Sequence, residues 1–104
     1  MVNKLVRDKI PAIIEASASR ATFKVLDEVD YADMLDKKLA EELDEYLAAE
    51  SVDQVGELAD LVEVVYAILE SRGITIEEFE KVRIEKKEQR GGFSERLLLI
   101  QVED

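Results

Sequence analysis

Residues 39–60 read LAEELDEYLAAESVDQVGELAD, and helical periodicity runs through both halves of this stretch. The first half belongs to a helix that is predicted to begin after its N-cap at Asp30 and to end near Ala49. The second half extends forward to Arg72 from a helix start that Ser51 is predicted to cap. Because only about two residues connect the helices, we expect them to lie antiparallel and side by side. The stretch therefore decides the fold class, which is predicted to be mainly α.

The rest of the chain supplies shorter elements around this hairpin. Residues 3–18 are predicted to form a helical segment, and Thr75 is predicted to cap a third long helix that ends near Arg90. Residues 21–26 alternate partly and residues 97–102 form an apolar run, so both are predicted as short strands. Together these elements predict an antiparallel helical bundle with a minor two-stranded β element.

Composition limits the chemistry available to this chain. Its 104 residues fit one domain, predicted to span residues 1–104, and oligomerisation would enlarge the modest core of so short a chain. Neither cysteine nor histidine is present, which excludes thiolate nucleophiles, serine–histidine catalysis and most zinc sites. Any metal must therefore be held by oxygen atoms, which favours Mg²⁺ or Mn²⁺.

The charge balance bears on partners and compartment. The formal net charge is −11, from 25 acidic and 14 basic residues, so we expect the protein to repel nucleic acid. No stretch reaches the roughly 18 apolar residues needed to span a bilayer, so no membrane partner is expected. Residues 1–8 lack the long apolar core of a signal peptide, which predicts a cytoplasmic protein.

One carboxylate is predicted to lie on the buried face of the first long helix. At about 100° per residue, one side of this helix carries an apolar stripe that consists of Tyr31, Leu35, Leu39, Tyr46 and Ala49. Glu42 falls in the middle of the stripe, Glu45 at its margin and Glu41 further out on the same side. A buried carboxylate is costly without a compensating charge, and the nearest basic residue, Lys38, lies one turn earlier.

The second long helix has a wide apolar arc with acids along its edge. The main part of the arc is formed by Val55, Leu58, Ala59, Val62, Val65, Tyr66 and Leu69, and its extension by Leu61, Val64 and Ile68. Glu57 and Asp60 follow the edge of the extension and, like Glu42 and Glu45, are spaced i, i+3 so that they face the same way. Both pairs lie within roughly two turns of the connection, so we expect them to converge on one volume, where a divalent cation would offset their repulsion. The alternative is that they are ordinary solvated acids.

With these positions in place, the sequence resembles a known family. Glu41-Glu42-Leu43-Asp44-Glu45 followed by Glu57-Leu58-Ala59-Asp60 is similar to the signature of the all-α nucleotide pyrophosphohydrolases, which include MazG-like proteins, dimeric dUTPases and phosphoribosyl-ATP pyrophosphohydrolases. Residues 4–11, from Lys4 to Pro11, look like the opening of a compact branch described as phosphoribosyl-ATP pyrophosphohydrolase-like. Arg90-Gly91-Gly92-Phe93 and the apolar tail look like the ending of that branch.

The resemblance implies an activity and a set of residue roles. Members of the family complete a helical bundle by dimerisation, so a homodimer is expected, with a homotetramer as the alternative. They cleave a nucleotide between the α- and β-phosphates and release pyrophosphate. Glu42, Glu45, Glu57 and Asp60 match the metal-ligand positions, for Mg²⁺ or Mn²⁺. Glu41 matches an additional glutamate, which would assist either a further metal or the attacking water. It is the candidate to accept the proton of that water, with a ligand carboxylate as the alternative.

Basic side chains near the two ends of the chain are candidates to bind the substrate phosphates. They are Lys4, Arg7, Lys9, Lys87 and Arg90, and in so acidic a chain they stand out. Their positive charges would hold the outer phosphates and stabilise the pyrophosphate leaving group. Surface salt bridging is the alternative role for at least half of them.

Two further interpretations of the whole chain stay open at this stage. The substrate is predicted to be a nucleoside triphosphate, but phosphoribosyl-ATP in histidine biosynthesis would use the same metals and the same bond type. In a different class, the chain would be a non-catalytic helical dimerisation module, since wide apolar arcs also suit self-association.

Overall fold

The fold is mainly α, as predicted. The computed structural model describes residues 3–103, and within them it contains four helices and no strand. The helices are α1 (Ile10–Ala16), α2 (Glu28–Ala48), α3 (Gln54–Ser71) and α4 (Ile76–Arg90). The chain forms two compact units, one up to Gly73 and one from Ile74 onward. The predicted single domain and the expectation for the N-terminus also involve residues 1, 2 and 104, which lie outside the described residues.

The first helix is shorter than the predicted segment of residues 3–18. α1 begins only at Ile10, and Pro11 stands in its first turn. A proline is tolerated there because its missing N–H has no helical partner, but further inside a helix its ring would clash with the carbonyl four residues earlier. The helix therefore cannot extend back towards Asn3, and residues 3–9 form a non-helical arm. At the other end, Ser17 Oγ donates a hydrogen bond to the Ile14 carbonyl.

Helix α2 begins three residues earlier than predicted. Asp27, rather than Asp30, is the N-cap: its backbone is extended and its side chain accepts a hydrogen bond of 2.8 Å from the backbone N–H of Asp30. Asp30 falls instead in the first turn, where a negative charge interacts favourably with the helix dipole. An aspartate can cap a helix by accepting a hydrogen bond from the backbone N–H three residues further on, and both Asp27 and Asp30 have the side chain to do so. In the structure Asp27 makes this bond.

Helices α2 and α3 pack against each other as the predicted hairpin. The stripe on α2 is confirmed, with Leu35 only 2 % exposed and Glu42 buried among the same residues. On α3 the side turned inward includes Val64, which is buried, and Leu61 and Ile68, which are half-buried. Around the connection Gln54 Nε2 donates a hydrogen bond to the Tyr46 carbonyl. α3 itself starts at Gln54, three residues after the predicted cap at Ser51.

Much of the wide apolar arc on α3 remains exposed. Val55 is 77 % exposed, and Leu58 and Val62 are also classed with the exposed residues. Within residues 3–103 the buried hydrophobic residues are Leu35, Val64 and Leu69. Burial on α3 is thus greatest at Val64, in the extension, and at Leu69, at the end of the main part. The start of the main part stays exposed, at Val55, Leu58, Ala59 and Val62.

The second unit consists of α4 and the residues that follow it. Thr75 caps α4 as predicted, because its Oγ1 accepts a 3.1 Å hydrogen bond from the backbone N–H of Glu78. The helix ends at Arg90, also as predicted, and Gly91 follows with a φ of +83°, a conformation that glycine adopts without steric cost.

The predicted two-stranded element is wrong. Neither residues 21–26 nor residues 97–102 form a strand, and their apolar side chains are largely exposed, including Val25 and Leu97 to Ile100. Strand-like sequence does not make a strand unless a partner accepts its backbone hydrogen bonds and a core covers one face. Among the described residues no helix is both long and apolar enough to cross a membrane.

Candidate metal centre

The carboxylates singled out in the sequence come together on the α2–α3 hairpin. One oxygen from each of Glu42, Glu57 and Asp60 lies within 4.8 Å of the others, although the residues come from two helices. Glu41, Glu42 and Glu45 form a second group that meets the same distance limit. Glu42 belongs to both groups, so the five residues form one acidic cluster centred on it. Hard oxygen donors at this spacing are the kind of ligand set that a divalent cation binds.

Glu42 is the buried centre of this acidic cluster. It is 6 % exposed, and its Oε2 atom has no hydrogen-bond partner among the described residues. Burial, followed by the negative charge of Glu45, raises the pKa of Glu42, while Lys38 acts in the opposite direction. A buried carboxylate oxygen without a partner is expensive, so this position favours an added cation or a proton.

Glu57 faces Glu42 from the other helix and shares its environment. Its Oε2 is likewise buried without a hydrogen-bond partner in the described part of the chain. Burial and then the charges of Glu45, Asp60 and Asp53 raise its pKa. The orphaned oxygens of Glu42 and Glu57 therefore come from opposite sides of the hairpin, which fits a cation held between the two helices.

A lysine inside the hairpin compensates part of this charge. Lys38 Nζ lies 3.3 Å from Glu42 Oε1 and 3.4 Å from Glu41 Oε1, and its side chain is only 17 % exposed. The sequence placed Lys38 next to the stripe but did not assign it to the site. Its spacing of three and four residues from the two glutamates was the available signal, because such residues are neighbours on a helix.

The non-helical arm before α1 brings two more cations to the acidic cluster. Lys4 Nζ lies 3.1 Å from Glu41 Oε1, and Arg7 Nη1 lies 3.1 Å from Asp60 Oδ1. Arg7 Nη2 also lies 3.8 Å from Glu63 Oε1. Burial acts to raise the pKa of Glu41, but the hydrogen bonds and charges of Lys4 and Lys38 outweigh it and lower that pKa overall. In return, the hydrogen bond and charge of Glu41 raise the pKa of Lys4.

The other three predicted phosphate-binding residues are Lys9, Lys87 and Arg90. Lys9 occupies the N-cap position of α1, is exposed, and makes no ion pair within residues 3–103. Lys87 and Arg90 stand in the last turn of α4, in the second unit, where positive charge is favourable at a helix C-terminus. Their role towards phosphate stays a prediction.

A cleft of about 620 Å³ opens beside the acidic cluster, at the connection between α2 and α3. It is lined by Glu45, Ala48, Ala49, Asp53, Gly56, Glu57 and Asp60. Three of the four predicted ligands thus face this cleft, and the small residues among the lining leave it open. Asp53 was not among the predicted site residues, although its position one turn before Glu57 placed it near the same edge.

A mainly helical chain whose central hairpin carries these facing acids has the features of the all-α nucleotide pyrophosphohydrolases. A comparison with family models agrees, since the model described as phosphoribosyl-ATP pyrophosphohydrolase matches residues 7–87. The chain belongs to the phosphoribosyl-ATP pyrophosphohydrolase family. The matched residues include Glu41 and all four predicted metal ligands, and the family supports a pyrophosphohydrolase activity. Searches of curated proteins and of solved structures gave no match.

Proposed function

We propose that the protein is a Mg²⁺-dependent nucleotide pyrophosphohydrolase that cleaves a nucleoside triphosphate between the α- and β-phosphates to give the monophosphate and pyrophosphate. One observation carries the proposal. Glu42 is buried with an unpartnered Oε2, and it shares a volume with carboxylate oxygens of Glu57 and Asp60. Such a concentration of charge fits a divalent cation, and an all-oxygen donor set favours Mg²⁺, with Mn²⁺ as a substitute.

The carboxylates divide into ligands and a proton acceptor. Glu42, Glu45, Glu57 and Asp60 would hold the metal, and a bound Mg²⁺ supplies Lewis acidity towards phosphate oxygens and water. Glu41 would accept the proton of the attacking water. The side chain of Glu41 is partly exposed, so it remains accessible to water.

The basic residues would bind the phosphates. Lys4 and Arg7 already reach the acidic cluster, so a triphosphate held there would come within range of both side chains. The guanidinium of Arg7 can donate two parallel hydrogen bonds to one phosphate group. Lys9, Lys87 and Arg90 are proposed to add positive charge around the pyrophosphate leaving group.

A second copy of the chain is the proposed partner. Val55, Leu58 and Val62 on α3 and Leu43 and Leu47 on α2 are exposed, although they lie on the central hairpin. A second hairpin would cover these side chains and enlarge a core that is small in one copy. We therefore propose a homodimer, with a homotetramer as the alternative, and no nucleic-acid or membrane partner. Nucleotide pools and free Mg²⁺ occur together in the cytoplasm, the proposed compartment.

Phosphoribosyl-ATP is the second candidate substrate, because the matching family model carries that name. The same ligands and the same bond type would serve both substrates, so the acidic cluster does not separate them. Complementation of a histidine auxotroph that lacks this activity tests the candidate directly. Growth restored by the wild-type chain and lost with Glu42→Gln would establish phosphoribosyl-ATP as a substrate.

The main experiment measures pyrophosphate release from a panel of nucleoside triphosphates with and without Mg²⁺. We expect release only with the metal, and a loss of about a hundredfold or more in Glu42→Gln and Asp60→Asn. Asp44→Asn is the matched control, because Asp44 lies in the same acidic stretch but is exposed and outside both carboxylate groups. Full activity in either ligand variant would refute the assignment. If no nucleoside triphosphate releases pyrophosphate and the chain also fails to complement the histidine auxotroph, the non-catalytic dimerisation module becomes the better interpretation.

A further inference from the structure

The arm of residues 3–9 places its two cations on the acidic cluster. Lys4 contacts Glu41 and Arg7 contacts Asp60, at 3.1 Å in both cases, and the latter pair is separated by 53 positions in the chain. These contacts therefore form through the tertiary fold, and they do not join residues that are neighbours on one helix. They tie the two ends of a short non-helical segment to two different helices of the hairpin.

The arm differs from Lys38 in how firmly it is held. The side chains of Lys4 and Arg7 are 53 % and 61 % exposed, whereas that of Lys38 is 17 % exposed. Lys38 is fixed by the helix that also carries Glu41 and Glu42. The arm precedes Pro11, which disfavours extension of α1 into it. Its backbone is not helical, and the backbone hydrogen bonds to α1 are at its end, where the Arg7 and Lys9 carbonyls accept from Ile10 and Ile13. Exposed ion pairs on such a segment contribute little stability each and are easily exchanged.

The arm cations and a divalent ion draw on the same carboxylates, Glu41 and Asp60. Oδ1 of Asp60 accepts the hydrogen bond from Arg7, and Asp60 belongs to the carboxylate group that centres on Glu42. Oε1 of Glu41 contacts Lys4 and belongs to the adjoining group. A carboxylate oxygen committed to a cation coordinates a guanidinium or ammonium less strongly, so binding of the ion should weaken both contacts.

We infer that residues 3–9 are an exchangeable strap, whose Lys4 and Arg7 neutralise Glu41 and Asp60 until a divalent metal binds and then transfer to the phosphates of the metal-bound nucleotide. The inference rests on the proposed function for the identity of the site. It adds an order of events: the metal releases the arm, and the polyphosphate recaptures it. Metal binding and arm position are thereby coupled through shared carboxylates.

Mg²⁺ titration by calorimetry tests the competition between arm and metal. In Lys4→Gln/Arg7→Gln we expect Mg²⁺ to bind roughly three- to tenfold more tightly than in the wild type, because two exposed ion pairs no longer oppose it. Arg20→Gln/Lys24→Gln is the matched control. It removes one arginine and one lysine from the exposed segment between α1 and α2, and neither residue makes an ion pair in residues 3–103. Equal Mg²⁺ affinity in the two double variants would overturn the inference.

Tryptic cleavage reports the position of the arm without any catalytic step. Adding Mg²⁺ to the wild-type protein should accelerate cleavage after Lys4 and Arg7 by about three- to thirtyfold, the effect of losing two exposed ion pairs. Cleavage after Arg20 and Lys24 serves as the internal reference. Inorganic pyrophosphate added with Mg²⁺ should restore protection of the arm. Unchanged cleavage on adding Mg²⁺, or no renewed protection by pyrophosphate, would refute the strap.

These measurements separate the strap from the proposed function. If Mg²⁺ frees the arm and pyrophosphate protects it while no nucleotide is hydrolysed, the strap is supported and the proposed activity fails. If nucleotides are hydrolysed with Mg²⁺ while arm cleavage is indifferent to the metal, the activity is supported and the strap fails.

Discussion

Lys38 Nζ lies 3.3 Å from Oε1 of Glu42, one turn further along α2. Both side chains are on the face that packs within the hairpin. The exposed fraction of the side chain is 17 % for Lys38 and 7 % for Glu42. The pair neutralises one oxygen of Glu42, while the other, Oε2, remains without a partner. Lys38 thus compensates Glu42 from within α2, while carboxylate oxygens of Glu57 and Asp60 approach Glu42 from α3.

Replacing Lys38 should destabilise the protein because a buried carboxylate would lose its charge partner. For Lys38→Met we expect the free energy of unfolding to fall by about 1–3 kcal/mol, the usual cost of leaving a buried polar group unpaired. Chemical denaturation without added Mg²⁺ measures this change. Lys37→Met is the control, since Lys37 is an adjacent but exposed residue. Equal losses in the two variants would show that the pair with Glu42 does not matter.

Glu42 should make the stability depend on pH above its ordinary pKa of 4.5. Burial raises this pKa in the folded protein, so the folded state keeps a proton that the unfolded state has lost. The free energy of unfolding therefore falls as pH rises above 4.5, and Glu57, whose pKa is also raised, contributes in the same direction. Glu42→Gln removes the Glu42 contribution, so its stability relative to the wild type should increase as the pH rises above 4.5.

Unfolding curves at several pH values, without added Mg²⁺, measure the difference between Glu42→Gln and the wild type. Comparing two proteins cancels the general repulsion that the net charge of −11 adds at higher pH. Asp44→Asn controls for the loss of one negative charge at an exposed position. A difference that stays constant or shrinks with rising pH would contradict the burial of an ionisable Glu42.

Mg²⁺ should stabilise the folded protein because the acidic cluster exists only when α2 and α3 are packed. At a free metal concentration roughly ten times the Kd, the gain is about 1.4 kcal/mol. For a chain of this length that corresponds to a rise in Tm of roughly 5 °C or more. Thermal unfolding with Mg²⁺ and Mn²⁺ measures it. Glu57→Gln/Asp60→Asn should abolish the rise, whereas Glu70→Gln, an exposed change on the same helix, should keep it.

The exposed apolar residues of α3 should control self-association. Val62→Asp places a charge among the side chains that a second copy is proposed to cover, and burying an unpaired charge is costly. We expect the wild type to sediment as a dimer or tetramer and Val62→Asp to shift towards the monomer. Glu63→Asp, at the next position of α3, is the control and tests whether any substitution in this part of the helix shifts the protein towards the monomer. A wild-type protein that is monomeric at micromolar concentration would contradict the proposed partner.

The positions of the helices and of the acids were largely readable from the sequence. Periodicity placed Glu42 on the apolar stripe of α2, and the structure buries it there. The short connection predicted that Glu57 and Asp60 would approach it, and their oxygens do so. Both predictions used helix geometry, which repeats regularly enough to be calculated from residue spacing, and the second also used the length of the connection. The caps were less certain, because Asp27 and Asp30 are chemically equivalent choices for the start of α2.

Three features were decided by the tertiary structure. Periodicity predicted one wide apolar arc on α3, but packing buried Val64 and Leu69 and left Val55 exposed. The arm came to lie with Arg7 on Asp60, a contact that no local spacing contains. Residues 97–102, apolar enough for a strand, form none. By itself the sequence determined what repeats along the chain: the helices and the faces that carry the acids. The fold decided which of those faces meet, since a contact between distant residues depends on the free energy of packing the whole chain.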